Sequence, residues 1–420
     1  MPTGRQTGGW VWLSIGIAAL SACSTEEVLI AHRVPLATTG EPIAEEALLD
    51  VGIVVFDPGV PMGELDEKTV ESLIADGVFI NVRRAESIQM AVQLRRTLQS
   101  TGQWGGVWVT PQQSTAVDLG LTATIRQSDG YTVRVDVLAK DTMGRVWLEK
   151  PYEIETTAGA YNRPRYGDVD PYLDLFNSSA NDLSAARAKL SADDARAIRT
   201  VGALRYAGEL SPPAFGNYVA ENDGHYEPRR LPATGDPMFD RTLLVRQREK
   251  LFFETLDQHY EGVTAAAAES YHSWRESARE ESLAIQELTR SARWRAALGW
   301  GAMLTSVLSA GSTGGGFMRD AMMMVGSDVL TSRGELLRDR QMHATSLDEL
   351  SASYDGEVAP MVVEIAGVER RLTGTADAQF AEWRDLLREM FLAEMGPPSE
   401  STEPASDIPG LEFEAEPASP

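Results

Sequence analysis

Apolar and polar positions alternate along the first part of the chain and recur every three to four residues along the second. Leu49-Asp50-Val51-Gly52-Ile53-Val54-Val55-Phe56 is a β-branched run stopped by Asp57-Pro58-Gly59, which predicts a buried strand and a turn. Between Ser87 and Leu98 the apolar positions Ile88, Ala91, Leu94 and Leu98 share one helical face, and Thr101-Gly102 closes the helix. Four strands are predicted next. Gly106 to Thr110 ends at Pro111. Asp118 to Gln127 places Leu119, Leu121, Ala123 and Ile125 on one face. Tyr131 to Ala139 does the same with Tyr131, Val133, Val135 and Val137, and Asp129-Gly130 supplies the hairpin turn between the two. Arg145 to Thr156 follows Met143-Gly144, with Val146, Leu148 and Tyr152 expected on one face. A strand, a helix and four strands make an α+β unit with the helix over one face of a small mixed sheet.

The period then becomes helical. Pro171 to Leu183 predicts a short helix. A second is predicted from Ser191, its N-cap, to Tyr206, with Asp193 and Asp194 suiting its positive end. Residues 208–237 hold Pro212, Pro213, Pro228, Pro232 and Pro237 and mark the clearest boundary in the chain. From Pro237 to about Ser309 no further Pro occurs. Apolar or small residues eleven apart (Leu256/Ala267, Tyr260/Tyr271, Val263/Trp274, Ala267/Ala278, Trp274/Ile285) predict one long, nearly straight helix suited to coiled-coil-like packing. A return helix is expected over Phe317–Tyr354 and a third amphipathic helix over 376–395. The second part is therefore expected to be mainly α, built on a long helical hairpin. The expected division is a small α+β domain at 49–160, a helical connector at 161–236, the hairpin domain at 237–395 and a disordered acidic tail at 396–420.

The amino end carries its own signal. Gly8 to Ala22 has no charge, and its apolar stretch Trp10 to Leu20 is the length of a signal-peptide core, short for a membrane span. It ends in Leu20-Ser21-Ala22-Cys23, around the chain's one Cys. This resembles a bacterial lipobox, and the resemblance implies a signal peptide over 1–22 and acyl chains on Cys23. Ser24 after the Cys, by the same resemblance, implies the outer membrane. Several acyl chains give stable anchoring. Residues 23–48, mixed in Thr, Gly, Pro and Glu, read as a tether.

A second resemblance lies in Leu94, Leu98, Gly102-Gln103-Trp104-Gly105-Gly106-Val107 and Val117-Asp118-Leu119. There a helix ends, a strand enters and the next strand opens. Residues 49–156 are similar in this to a family of small periplasmic domains. The family includes auxiliary lipoproteins of ABC-type lipid transport, the amino-terminal domain of TolB and the curli secretion lipoprotein. The resemblance implies a periplasmic α+β domain and not an activity.

The expected hairpin tip is distinctive. Ala296 to Gly316 has no charge and contains Trp300, Met303 and Leu304, and the return limb carries Met322 and Met323. Three readings stand: a buried core, a partner or self-association surface, since Met-rich surfaces adapt to partners, and a membrane-inserting hairpin.

Charge and chemistry narrow the function classes. Asp and Glu outnumber Lys and Arg by 62 to 38, a net charge of −24, which argues against nucleic-acid binding. A single Cys excludes an internal disulfide framework and a thiolate-rich metal site. Glu269-Ser270-Tyr271-His272 has Glu-x-x-His spacing without a second copy, so His272 reads as an ordinary polar helix position. Asp168 and Asp170 read as solvated acids of a polar loop. No Gly-x-Ser-x-Gly elbow and no phosphate-binding Gly loop with its Lys occurs. No metal and no cofactor is called for. The expectation is a non-enzyme: a lipid-anchored periplasmic scaffold or accessory subunit of an envelope assembly. It would be attached through Cys23 and contact a partner or its own copies through Trp300, Met303, Leu304, Met322 and Met323. The alternative is a membrane-active or channel-forming lipoprotein whose hairpin inserts and oligomerises.

Overall fold

Strand β1 (Val51–Val54) is the strand around which the sheet is arranged. It lies between β2 (Val107–Thr110) and β3 (Leu119–Ser128), parallel to both. Strands β4 (Thr132–Asp141) and β5 (Val146–Glu155) continue the sheet antiparallel, in the order β2-β1-β3-β4-β5. The computed structural model describes residues 33–40, 43–61, 63, 65–166, 169–309, 338, 360–365 and 368–395, without the side chains of 165–166, 291–309, 362–365, 368–369 and 394–395. The chain is α+β: a mixed sheet with packed helices, followed by a mainly helical part dominated by one very long helix.

Alternation decides which face of the sheet is covered. Leu119, Leu121, Ile125, Val133, Val135 and Val137 are all buried. They face α2 (Ile80–Ser100) and α3 (Leu173–Arg187), which bring Ile88, Leu94, Leu98, Tyr172, Leu175 and Phe176 into the same core. Helix α2 begins seven residues before its strongest periodicity and is buried on almost every side, including Arg83, Glu86 and Ser87. A helix α1 (Glu67–Ala75), which buries no residue, precedes it. In β5 the expected phase is broken. Leu148 pairs with Ala139, but Val146 pairs with Lys140, so a bulge at Trp147 turns Val146 to the side of Lys140 and leaves it 50% exposed.

The helices start and stop where local chemistry dictates. Ser191 caps α4 (Ala192–Leu210) in a reciprocal capping box with Asp194. Asp236 accepts from the amides of Met238 and Phe239, and Pro237 occupies the first turn of α5 (Pro237–Ser309). Helix α6 (Ala376–Met395) spans the expected residues. Between α4 and α5 the Pro-rich boundary folds as a hairpin, β6 (Val219–Asn222) and β7 (His225–Pro228), docked on the β4–β5 turn. A further hairpin, β8 (Met361–Ile365) and β9 (Val368–Leu372), precedes α6. Met361, Leu372, Phe380 and Phe391 join Val245, Phe252 and Phe253 of α5 in the core that also contains β1 and β3.

The segment read as a tether is bound from Arg33 onward. The amides of Arg33 and Val34 donate to Asp174, and Asn177 and Asn181 bond the backbone of Val34, Pro35 and Ala37. Asp and Asn side chains of α3 thus supply the partners that this extended segment lacks within itself.

Gly130 joins the sheet to α5. Its φ is +80°, and a Cβ there would come within 2.3 Å of the Arg275 carbonyl oxygen. Gly235 has a φ of +72° and nothing within 4 Å of such a Cβ. Both substitutions to Ala introduce backbone strain, but only Gly130→Ala pushes α5 off the turn. Gly235→Ala is expected to cost about 1 kcal/mol and Gly130→Ala about 3 kcal/mol or more, measured by urea denaturation of the two variants.

Candidate functional site

The feature that sets this molecule apart is α5. Its 73 residues make a rod of about 110 Å. Most helical stability in a protein comes from packing one face of the helix, and α5 has such a seat. The seat is a stripe along its first two-thirds: Val245, Arg246, Glu249, Phe252, Phe253, Leu256, Asp257, Tyr260, Thr264, Tyr271, Trp274, Arg275, Ala278 and Ser282 are buried. The eleven-residue spacing runs through this stripe and includes its charges, as in Arg246/Asp257, Phe253/Thr264/Arg275 and Glu249/Tyr260/Tyr271/Ser282.

Three groups of polar contacts fix the seat. In the first, Arg246 pairs with Asp118 at 2.9 Å, both nearly buried, and Lys250 pairs with Asp50. Glu249 beside them accepts from Ser114 Oγ at 2.5 Å and from the Tyr206 hydroxyl at 2.9 Å. In the second, Asp257 accepts from the Val109 amide at 2.9 Å and from Arg95 at 3.1 Å, while Glu261 pairs with Arg95 and Arg96. β2 is the edge strand among the described residues, and Asp257 satisfies an outward-facing backbone donor that none of the described strands reaches.

The third group closes over the β3–β4 turn. Glu86 accepts from Ser128 Oγ at 2.5 Å and from the Tyr271 hydroxyl at 3.0 Å. Arg275 donates to both oxygens of Asp170 at 3.0 Å and lies over the rings of Tyr271 and Tyr172. Ser282 donates to the Asp129 carbonyl at 2.9 Å. None of residues 283–290 is buried, yet the helix continues to Ser309, about 40 Å beyond Ser282.

Burial governs the titration of this seat. It pushes the Asp257 carboxyl up to about 7, although Arg95 and the Val109 amide favour the charged form. Burial likewise raises Glu86, against Arg83, Ser128 and Tyr271, and raises Glu249. Asp50 goes the other way: despite its burial, Lys250 and the Gly106 amide hold it below the usual range.

Several sequence-level expectations are placed or corrected here. Trp300, Met303 and Leu304 lie on the far part of α5, where the backbone but not the side chains is described. Cys23, Met322, Met323, the expected return helix and the acidic tail lie outside the described residues. Asp170 is not a solvated loop acid but the partner of buried Arg275. His272, read as an ordinary polar helix position, is buried: it is 7% exposed, with its ring 5.8 Å from that of Tyr161. Its neighbour in the Glu-x-x-His spacing, Glu269, pairs instead with Arg163. Among the described residues no group of three or more His, Cys, Asp or Glu is placed to hold a metal ion, and no helix is long and apolar enough to cross a membrane. Comparison with family models, with curated proteins and with solved structures finds no match for the chain.

The pH dependence of stability follows from Asp257. Its folded pKa lies above the ordinary value near 4, so the unfolded chain releases this proton first. Stability from this group is therefore highest below about pH 4 and falls as pH rises towards 7. Groups held low, such as Asp50, act in the opposite sense and only at more acidic pH. The expected loss between pH 4 and 7 is roughly 1–4 kcal/mol, and Asp257→Asn removes that part of the slope. Urea midpoints of the parent and the variant across this range are the measurement. Parallel slopes would show that Asp257 is already ionised in the folded protein.

Proposed function

We propose that the protein is a lipid-anchored, periplasm-facing scaffold or accessory subunit of an envelope assembly, of the lipid-transport or secretion kind. It acts by protein contacts made along the outer part of α5. One juxtaposition carries this reading. Arg33 is bonded to Asp174 near the start of α3, and Tyr172, just ahead of it, lies under Arg275 of α5. Arg33, ten positions after Cys23, and the point where α5 loses its buried stripe thus lie in the same region of the folded body. Arg33 is ten chain steps from Cys23, a reach of at most about 35 Å. An acyl group on Cys23 would keep the root of α5 close to the bilayer surface, and the rod would serve as an arm rooted there.

The same juxtaposition favours one alternative. The uncharged residues from Ala296 onward occupy the far end of α5, so an arm rooted near a bilayer is also suited to entering it. The membrane-active or channel-forming reading rests on this.

Photo-crosslinking in cells from a photoreactive residue at Trp300 separates the readings. Crosslinks to a second polypeptide are expected for the scaffold, and lipid crosslinks would move the assignment to the inserting hairpin. Crosslinks confined to the same molecule would end both. Independently, Cys23→Ser is expected to release the protein from the membrane fraction and leave an unprocessed precursor. Unchanged attachment and size would remove the anchor from the proposal.

A further inference from the structure

The second face of the sheet holds a cleft that none of the preceding argument uses. It has a volume of about 590 Å³, within the range of small-molecule sites. Its floor is the solvent side of β3 and β4, at Thr122, Leu138 and Lys140. Its walls are the loop after β2, α4, the β6–β7 hairpin and α6.

The charges in this cleft do not cancel. Asp141 is taken up by Arg145 and Trp147, each at 2.9 Å, and its side chain has no exposed surface. Glu209 is taken up by Arg384 and Thr115, each at 2.9 Å. Two cations are left over. Arg205 donates Nη1 to the Thr142 carbonyl at 2.7 Å and stacks its guanidinium 3.6 Å from the Tyr226 ring centre. Its Nε and Nη2 have no partner among the described residues. Lys140 has neither a carboxylate nor a hydrogen-bond acceptor among them. In a chain with a net charge of −24, two unmatched cations in one polar concavity are a marked local reversal of sign.

We propose that this cleft binds the phosphate of a small hydroxylated ligand, either a free phosphorylated polyol or the head group of an anionic lipid. The guanidinium of Arg205 is held rigid by Thr142 and Tyr226. Its planar donors suit an oxyanion and need little ordering on binding. Lys140 adds a mobile point charge from the floor. Thr122 offers a hydroxyl and Gln113 in the loop after β2 a side-chain amide, and the lining is mainly polar, so the body of the ligand is a polyol and not an acyl chain. This inference does not depend on the function of α5.

The test is calorimetric titration of the full chain with glycerol 3-phosphate, with a parallel flotation assay on phosphatidylcholine vesicles with and without phosphatidylglycerol. Saturable binding is expected, weakened about tenfold or more by Lys140→Glu and by Arg205→Gln, the scale of one lost charge-assisted hydrogen bond. Arg126→Glu, the same charge change on the same sheet face but outside the cleft, is expected to change affinity less than about threefold. Binding of glycerol 3-phosphate assigns a free ligand. Binding only to the phosphatidylglycerol vesicles, with the same dependence on Lys140 and Arg205, assigns the head group. No saturable binding to either probe would overturn the proposal. So would a Lys140→Glu protein that binds like the parent or no more weakly than Arg126→Glu, and because Lys140 is exposed that result does not turn on folding.

Discussion

A charged residue buried on a helix must find its partner or the helix cannot settle, and α5 carries five such residues on its seat: Arg246, Glu249, Asp257, Arg275 and Arg279. Removing one member of a buried ion pair leaves the other uncompensated, at a typical cost of about 3–5 kcal/mol. The sheet domain is therefore organised to meet them. Asp118 stands immediately before β3, Asp170 just ahead of α3, and Arg95 in the last third of α2. Each of these lies on an element whose own apolar face is already committed to the core around β1. The position of α5 is thus fixed by the same packing that makes the sheet.

Much else follows from that fit. Covering β2 with α5 removes one edge of the sheet, with Asp257 bonding the Val109 amide. At the other edge, β5 pairs with no further strand among the described residues and is protected by its own composition. Glu149, Lys150, Glu153 and Glu155 are exposed there, and Pro151 interrupts the donors. The close crossing of α5 over the β3–β4 turn explains why the residue there is Gly130. The α5 interface also has an apolar part, where Phe252 and Phe253 meet Phe380 and Trp383 of α6, and this part holds the end of the chain against its middle. Apolar contact supplies adhesion there, while the ion pairs supply position.

The regular elements were legible in the sequence because each carries a local signal. Ser191 with Asp194 announces the start of α4, Asp129-Gly130 the hairpin, and the alternation of β3 and β4 their buried face. The periodicity of α6 gives its full extent. Elsewhere the signal was weaker, as in the β6–β7 hairpin that lies within the Pro-rich boundary. Helix α1 has only nine residues, and its short apolar stripe, Val70, Leu73 and Ile74, is no more than half-buried, so its signal is brief. The β8–β9 hairpin carries Glu364, Glu369, Arg370 and Arg371 in place of a clear alternation. The seat of α5 was half legible. Leu256, Tyr260, Tyr271, Trp274 and Ala278 mark its apolar members, but nothing local marks the charges among them as buried. Their partners are remote in sequence: Arg246 and Asp118 are 128 residues apart, and Arg275 and Asp170 are 105. Extending the eleven-residue spacing to charged positions would have put them on the buried stripe. The cleft on the other face had no sequence signature, since Lys140, Arg205 and Tyr226 come from separate elements.

The choice of charges over a purely apolar stripe has a mechanical consequence for a rod of this kind. An apolar stripe tolerates a shift of one helical turn, about 5.4 Å, because it meets similar surface again. Buried ion pairs do not, since a one-turn shift separates every pair at once. The helix is pinned at Arg246, at Asp257 and at Arg275, positions spread over 29 residues or about 43 Å of axis. With three pins over that length, register and direction are both set. Direction matters most beyond Ser282, where about 40 Å of helix remains and a 10° tilt at the seat would displace the far end by about 7 Å. The polar seat is therefore what a long arm requires if its end is to meet a surface at a defined place.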